Sequence, residues 1–216
     1  MLRSVRHLVR PRYRLNWIMG RRWIDGFEWY VRGTDFSPNH EDWLRSMVTK
    51  FEGELFVDVG AHIGTWAIRA TKSFSRVVAF EPNIRSSRIF RTTIRMNGLT
   101  NISVFAALLS NENSGGTAST AGKISTGANQ ETIPIRTLDS FRLKPSLIKI
   151  DTEGYEYPVL QGASETLDCR PRIIVETHSP ESLGKVRDYL ESREYSIKEA
   201  RRRNRFGQIQ SWLLCI

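Results

Sequence analysis

Four polar residues stand at the ends of two successive apolar runs in the second half of the chain. Asp151 and Glu153 directly follow the run Leu147–Ile150. Glu176 and His178 close the next run. Because the carboxyl ends of parallel strands meet at one edge of a sheet, we expect three carboxylates and an imidazole to face one small space. Side chains of these types can move protons or bind a metal ion.

This cluster suits two ways of activating a hydroxyl group. In the first, His178 or a carboxylate whose pKa is raised by its like-charged neighbours acts as a general base. In the second, Asp151, Glu153 and Glu176 bind a hard cation such as Mg²⁺, which holds the hydroxyl and lowers its pKa. The same residues also fit a structural arrangement, in which Asp151 anchors a ligand, Glu153 caps the following helix and the last two form a buried pair. The residue types alone leave these alternatives open.

A second motif lies in the first half of the chain, where an apolar strand at 55–59 runs into a helix through Gly60 and Gly64. Glycine lets the backbone approach a ligand closely, so that backbone amides and the positive helix N-terminus face it. The spacing G-x-x-x-G differs from the G-x-G-x-x-G of dinucleotide sites, which disfavours a pyrophosphate cradle. The motif therefore predicts a nucleotide-type pocket without a dinucleotide.

Two acids complete this predicted pocket. Glu81 lies twenty-one residues after Gly60, at the end of the next strand, where an acid can accept hydrogen bonds from both ribose hydroxyls. Asp58, just before the glycine turn, is positioned to pair with the amino group of a methionine moiety, although it equally fits a role in accepting backbone amides of the turn. Together they predict S-adenosylmethionine as the cofactor. The predicted cofactor contacts are Asp58, Gly60, Ala61, His62, Gly64, Thr65, Glu81, Pro82, Asn83, Ala107 and Asp151.

Strands and helices alternate from residue 51 onward, which predicts parallel βαβ units. The predicted strands are 27–32, 55–59, 77–80, 102–108, 133–137, 147–150, 173–176, 196–200 and 208–215. The predicted helices are one that begins at Ser37 and Pro38, then 65–72, 86–96, 157–167 and 181–192. The fold class is α/β, with a doubly wound, mostly parallel, seven-stranded Rossmann-like sheet. The connection 201–206 is too short for a crossover helix, so the C-terminal strand is expected to be antiparallel.

Composition places these elements in an ordinary globular chain of 216 residues, of which 40% are hydrophobic and 25% charged. Residues 1–50 are expected to form a basic arm with a short strand and helix, residues 51–216 the cofactor-binding domain, and residues 111–132 a surface loop. No stretch approaches the roughly 18 apolar residues of a membrane span, and a secretory signal is not evident, so a cytoplasmic protein is expected. Cys169 and Cys215 lack metal-site spacing and are expected to be buried thiols.

The net charge of +9 is unevenly placed. Seven arginines and no acid lie between Met1 and Arg22. Arg201, Arg202 and Arg203 form a second cluster, which Arg205 extends. This cluster follows a strand that ends at the same sheet edge as the acids, so we expect it to bind an anionic acceptor: a glycan, an RNA or a lipid headgroup. The N-terminal arm fits peripheral contact with a membrane surface, contact with RNA or a lid over the cofactor pocket equally well, and a solvated surface is the plain alternative.

With these motifs in view, the chain resembles the FkbM-type methyltransferases over roughly Phe51 to His178. The motifs that carry the resemblance are Asp58–Gly64, Phe80–Asn83, Thr137–Phe141, Ile148–Glu156, Val159–Ala163 and Val175–His178. The string IKIDTEGYE at 148–156 is the most specific of them. His62 stands where the family more often has asparagine.

The resemblance implies a class I S-adenosylmethionine-dependent fold and O-methylation of hydroxyl groups on sugars or natural products. One alternative is an RNA methyltransferase, which the positive net charge favours. Another is a noncatalytic nucleotide- or nucleic-acid-binding module. The presence of Asp151, Glu153, Glu176 and His178 together speaks against a module that has lost its chemistry.

Overall fold

The computed structural model describes residues 19–32, 50–114, 133–203 and 209–216, and for Met19, Arg32 and Arg202 only the backbone. The strands are β1 (Met19–Ile24), β2 (Phe27–Arg32), β3 (Gly53–Val59), β4 (Phe74–Phe80), β5 (Ile102–Phe105), β6 (Leu108–Leu109), β7 (Ile135–Arg136), β8 (Leu147–Ile150), β9 (Arg172–Thr177), β10 (Ile197–Arg203) and β11 (Ile209–Cys215). The helices are α1 (Thr65–Ala70), α2 (Ile84–Met96), α3 (Glu156–Gln161), α4 (Ser164–Leu167) and α5 (Pro180–Ser192), with a 3₁₀ helix at Asp139–Phe141.

Seven of these strands form one sheet, in the order β10-β11-β9-β8-β3-β4-β5. β11 is antiparallel to both of its neighbours, and the other pairs are parallel. The predicted fold class, a mostly parallel doubly wound sheet with an antiparallel C-terminal strand, is confirmed. The chain moves outward from β3 through β4 and β5, then returns to the other side of β3 through β8 and β9. Ligands of open α/β sheets bind where the strand order reverses in this way, outside the carboxyl ends of the strands.

Both faces of the sheet are covered, which explains why its central strands are apolar along most of their length. Phe56 and Val57 of β3 point to opposite faces, and both are fully buried. Val57 packs in a core that includes side chains of α3, α4 and α5. Phe56 packs in a second core, with α1, α2 and strand β2. The two cores hold β3 and β8 rigidly at the point of reversal.

Strands β1 and β2 form an antiparallel hairpin whose first strand the sequence pattern did not reveal. The turn is Asp25-Gly26, and both residues have positive φ, the conformation that Asp-Gly hairpin turns require. Trp29 and the two inward-facing residues on either side of it in β2 are buried in the second core. The hairpin is bonded to α2 through Asn97, whose side chain accepts a hydrogen bond from the amide of Glu28 and donates one to its carbonyl.

Two strands around the loop 111–132 are shorter than predicted. The strand expected at 102–108 ends at Phe105. Leu108–Leu109 pairs instead with Ile135–Arg136, in a separate two-stranded parallel sheet. The strand predicted at 133–137 is therefore reduced to two residues outside the main sheet. Apolar residues continue beyond Phe105 because Ala107 and Leu109 pack in the first core and Leu108 packs with residues 133 and 135, tertiary contacts that the periodicity did not reveal.

The helix predicted at 157–167 is divided into α3 and α4 at Gly162. A Cβ atom at Gly162 would lie 2.0 Å from the carbonyl oxygen of Ser110, so the backbone of a neighbouring segment passes through this point. Asp139 then starts α4 by accepting hydrogen bonds from the amides of Glu165 and Thr166. The long-range partners Ser110 and Asp139 explain a break that the apolar spacing did not predict.

Some expectations concern residues outside the described ranges. These are the N-terminal arm up to residue 18, the helix that begins at Ser37 and Pro38, most of the loop 111–132, and Arg205. Cys215 is buried as predicted, but the prediction for Cys169 is wrong, since its side chain is exposed in the turn after α4. Within the described ranges, every helix is too short or too polar to cross a lipid bilayer.

Candidate functional site

A cavity of about 700 Å³ opens at the carboxyl ends of β3, β4 and β8, where the strand order reverses. Its size is that of a small-molecule site. Of the residues predicted from the sequence, those in its wall are Gly60, Ala61, His62, Thr65, Glu81, Pro82, Asn83, Ala107, Asp151 and Glu153. Asp58 and Gly64 are not in the wall, and neither are Glu176 and His178.

The glycine turn forms one wall of the cavity, but its amides are used within the protein. The amides of Gly60 and Ala61 both donate to the carbonyl of Phe80 at 3.0 Å, and the amide of Gly64 donates to the carbonyl of Ala61. The expectation that these amides face a ligand is therefore corrected. These hydrogen bonds fix the turn on the end of β4. The turn therefore contributes van der Waals surface to the cavity, while these three amides are already bonded within the protein.

The two glycines are required by packing inside the protein. Both have positive φ, the region that favours glycine. A Cβ atom at Gly60 would lie 1.8 Å from the carbonyl oxygen of Asp151, and one at Gly64 would lie 2.1 Å from the ring of Phe90. Gly60 thus lets the turn approach the end of β8, and Gly64 lets it approach α2.

Asp58 lies beneath the cavity, contrary to the prediction that it faces a methionine amino group. Its side chain is fully buried, and Oδ2 accepts a hydrogen bond from the amide of Ala67 at 3.1 Å. Oδ1 lies 3.6 Å from Nζ of Lys149, the residue directly opposite on β8. Asp58 therefore takes the structural role that its position also allowed, tying the start of α1 to β3.

Lys149 is a cavity residue that the list of predicted contacts omitted. It is almost fully buried, and Nζ lies 3.2 Å from Oδ2 of Asp151 as well as 3.6 Å from Asp58. A buried ammonium group is costly unless it is paired, and two carboxylates pair this one. The signal in the sequence was a lysine in the middle of an apolar strand. Lys149 holds Asp151 at the cavity wall.

Glu81 ends β4 and presents its carboxylate to the cavity. Oε2 accepts a hydrogen bond from the amide of His62 at 2.6 Å, and Oε1 accepts one from the amide of Asn83 at 2.7 Å. His62 has a φ of 52°, a left-handed conformation that histidine and asparagine adopt more readily than most residues. Burial raises the pKa of Glu81 to about 7, against the lowering effect of these two amides. Each oxygen keeps a lone pair for a hydroxyl donor.

The cluster of acids and histidine lies on the other side of β3. Asp151 and Glu176 follow residues that are paired between β8 and β9, which brings the two side chains together. Nε2 of His178 lies 3.7 Å from Oδ1 of Asp151, 3.6 Å from Oε2 of Glu153 and 3.5 Å from Oε1 of Glu176. The structure thus places all four predicted residues in one group. Three carboxylates surround a single ring nitrogen.

Glu156 is a further member of this cluster that the predictions did not include. It is fully buried, and its Oε1 lies 3.6 Å from Nδ1 of His178. The amide of Gly154 and the hydroxyl of Ser182 donate to its two oxygens, each at 2.8 Å. Glu156 belongs to the IDTEGYE string and begins α3, so its position in the motif was visible in the sequence, but its burial was not.

The charges of His178 and Glu156 depend on each other. Burial raises the pKa of Glu156, but the nearby imidazole of His178 and hydrogen bonds from Gly154 and Ser182 outweigh it, and the pKa lies below its ordinary value. Burial likewise lowers the pKa of His178, but the carboxylates of Glu156, Asp151 and Glu153 outweigh it, and the pKa lies above its ordinary value. The cluster therefore favours positive charge at the imidazole, and by the same physics it attracts any cation.

The arginine cluster lies within strand β10. The strand was predicted to end at residue 200, but it continues to Arg203, because Arg201 to Arg203 pair with residues of β11. β10 is parallel to β9 across the reversed strand, so these arginines are at the carboxyl edge of the sheet as expected. Arg201 is exposed and forms an ion pair with Glu199. The side chain of Arg202 is outside the described residues.

The cavity fits the predicted cofactor. Glu81 can accept the two hydroxyls of a ribose, and Ala107 with Phe80 forms an apolar wall beside it that suits an adenine. Asp151, on the far side of the glycine turn, faces the cavity with one oxygen on Lys149 and the other near His178. Carboxylates at this end suit an ammonium group and a sulfonium ion. The residues present therefore fit S-adenosylmethionine.

A family model described as the methyltransferase FkbM domain matches residues 58–197. The hexuronic acid methyltransferase AglP of Haloferax volcanii is 32% identical in an alignment of 142 residues, and the match covers 59% of this chain and 57% of that protein. The chain thus spans less than two thirds of that relative.

Solved structures show the same fold. Methyltransferase FkbM from Methylobacillus flagellatus matches with a TM-score of 0.59 at 21% identity, covering 74% of this chain and 43% of that one. The Pyrococcus abyssi tRNA (uracil-54, C5)-methyltransferase, solved with S-adenosyl-L-homocysteine, matches with a TM-score of 0.58 at 14% identity, covering 92% of this chain and 44% of that one. The family match covers more than half of the chain and agrees with the motifs, and the chain therefore belongs to the methyltransferase FkbM domain family.

Proposed function

We propose that this chain transfers the methyl group of S-adenosylmethionine to a hydroxyl oxygen of a sugar, with a hexuronic acid as the first acceptor to test. One observation carries the proposal. The imidazole of His178 and its surrounding carboxylates adjoin the β8 side of the cavity, whereas the ribose-accepting Glu81 is on the β4 side. A cofactor held by Glu81 would extend its reactive end toward Asp151.

Methyl transfer to oxygen is an in-line displacement, in which an O–C bond forms as the S–C bond breaks. S-adenosylmethionine supplies the activated methyl group when bound. The protein must align the acceptor oxygen and remove or weaken its O–H bond. Asp151, Glu153, Glu176 and His178 are the catalytic residues of the proposal, since they offer proton acceptors and cation ligands beside Asp151's end of the cavity.

A sugar acceptor is favoured by the 32% identity to a hexuronic acid methyltransferase. A uronic acid carries a carboxylate, and Arg201 and Arg203 stand at the same sheet edge as the cluster. Changing both arginines to glutamate is expected to raise the acceptor KM about three- to tenfold, the effect of one or two solvent-screened charge interactions. Cofactor affinity is expected to stay constant. Lys198→Glu, an exposed change in the same strand farther from the edge, is the control.

The experiment that tests the function uses S-adenosylmethionine labelled in its methyl group and the full chain. Acceptor fractions of uronic-acid glycans, neutral glycans, RNA and anionic lipid vesicles are compared, with S-adenosyl-L-homocysteine binding measured by calorimetry. The glycan fractions are then treated with base, which hydrolyses methyl esters and leaves methyl ethers intact. Label that remains in the glycan after this treatment supports the proposal. Label in RNA instead would favour the alternative that the net charge of +9 suggests. Cofactor binding with no transfer to any fraction would favour a noncatalytic module.

A further inference from the structure

The geometry points to a binding site for a divalent transition-metal ion formed by Asp151, Glu153 and His178. One ligand atom from each of the three lies within 4.8 Å of the other two. The inference rests on the proposed function for its chemical role, but not for its test. It differs from the Mg²⁺ site that the sequence left open as one alternative, because its ligands include the imidazole and do not include Glu176.

The distances around Nε2 of His178 are those of ligands that share an ion. The proposed ligand oxygens of Glu153 and Asp151 lie 3.6 and 3.7 Å from this nitrogen, and an oxygen of Glu176 lies 3.5 Å from it. Two ligand atoms bonded to one ion at about 2.1 Å, with angles of about 90–120°, are separated by about 3.0–3.7 Å. A hydrogen bond from an imidazolium would instead bring an oxygen to about 2.7–3.0 Å. None of the three oxygens is that close.

The other side of the imidazole faces a buried carboxylate, the type of group that commonly lies behind a metal-binding histidine. Nδ1 faces Oε1 of Glu156 at 3.6 Å. Glu156 is fully buried and is itself fixed by Gly154 and Ser182. At this distance the carboxylate acts on the ring by its charge and not through a hydrogen bond. Its negative charge favours the proton on Nδ1, which leaves the lone pair of Nε2 directed at the oxygens. This carboxylate–histidine pair is independent of the three carboxylates around Nε2.

The mixture of ligands selects the class of metal. Mg²⁺ prefers oxygen ligands and keeps several waters, whereas an imidazole nitrogen together with carboxylates suits Mn²⁺, Fe²⁺ or Zn²⁺. An ion here would bind the acceptor hydroxyl and lower its pKa. The hydroxyl proton would pass to the carboxylate of Glu176, the O–C bond would form, and the S–C bond would break with its electron pair left on sulfur. Charge and atoms balance without any further reactant.

The test is a titration of the chelator-treated full chain with Mn²⁺, in which free Mn²⁺ is measured by electron paramagnetic resonance. One ion per chain is expected to bind. Glu153→Gln is the decisive variant, because this side chain is 82% exposed and can be changed without disturbing the core. Glu153→Gln and His178→Ala are each expected to weaken Mn²⁺ binding at least tenfold. Glu181→Gln, an exposed change in the helix after His178, is the matched control and should bind as the wild type does.

Each outcome decides between the two proposals. Equal Mn²⁺ binding by wild type, Glu153→Gln and His178→Ala would overturn the metal site, as would Mg²⁺ competing equally with Mn²⁺. Full methyl transfer in excess chelator would overturn the metal site and leave the proposed function standing. Stoichiometric Mn²⁺ binding by a protein that does not bind S-adenosyl-L-homocysteine would support the metal site and contradict the proposed function. Thermal unfolding of each variant verifies that it is folded.

Discussion

The two sides of the cavity are built by different means. On the β4 side, both oxygens of Glu81 accept hydrogen bonds from backbone amides, from His62 in the glycine turn at 2.6 Å and from Asn83 at 2.7 Å. On the β8 and β9 side, His178 meets carboxylates at 3.5 to 3.7 Å, and two separate strands and α3 bring these side chains together. On the β4 side, hydrogen bonds fix the orientation of the Glu81 carboxylate, which suits recognition of a cofactor that is always the same. On the β8 and β9 side, the side chains interact through their charges at longer distances, which suits the binding of a cation or a proton.

The largest effect is expected from the side-chain cluster. His178→Asn should lower the rate of methyl transfer on the order of a thousandfold, the middle of the range for loss of a positioned acid or base. Affinity for S-adenosyl-L-homocysteine should change less than twofold, because His178 is not in the cavity wall. Single-turnover label transfer and calorimetry measure the two quantities. A loss of affinity that parallels the loss of rate would break the distinction between the two sides.

A substitution in the glycine turn measures how closely the backbone packs against the end of β8. Gly60→Ala should lower the free energy of unfolding by about 3 kcal/mol, since the new Cβ would meet the carbonyl of Asp151 and φ is positive. Gly184→Ala is the control, because Gly184 lies inside α5 with open space around it. This change should raise the free energy of unfolding by about 0.5–1 kcal/mol. Urea unfolding measures both. Equal changes in the two variants would contradict the packing role of Gly60.

Glu81 tests the cofactor side directly. Glu81→Gln should weaken S-adenosyl-L-homocysteine binding about 10- to 100-fold, the cost of losing charged acceptors for two hydroxyls. The transfer rate at saturating cofactor should fall only a few-fold. Calorimetry is the measurement, and Glu112→Gln, a change at an exposed glutamate, is the control. If the rate at saturation fell as far as in the His178 variant, the separation of binding from chemistry would be wrong.

The smallest expected effect is a dependence of cofactor affinity on pH. Because the pKa of Glu81 is raised to about 7, its carboxylate gains a proton as the pH falls below that value. The protonated form loses acceptor strength for the ribose, so affinity for S-adenosyl-L-homocysteine should fall about tenfold from pH 8 to pH 6. Calorimetry across this range in the wild type and in Glu81→Gln isolates the effect. The variant should show no such slope, and an equal slope in both would assign it to another group.

The motifs predicted much of the site because their residues are local. The string IKIDTEGYE contains Lys149, Asp151, Glu153 and Glu156, and the structure brings all four to one end of β8. The predicted ribose contact, Glu81, also lines the cavity. Asp58 lies beneath the cavity and not in its wall, because a residue pattern does not show to which side a side chain at a strand end points. Its contact with Lys149 on the neighbouring strand fixes that direction.

The alternation of apolar runs with turn residues was sufficient to determine a doubly wound parallel sheet, because parallel neighbours require helical crossovers and the last connection was too short for one. The same residues specified the FkbM family through contiguous motifs. Only the packed chain decided that the glycines make room for Asp151 and Phe90, that Lys149 joins Asp58 to Asp151, and that Glu156 supports His178. These relations depend on distances between separate strands and helices, and such distances arise only when the two cores close around β3 and β8.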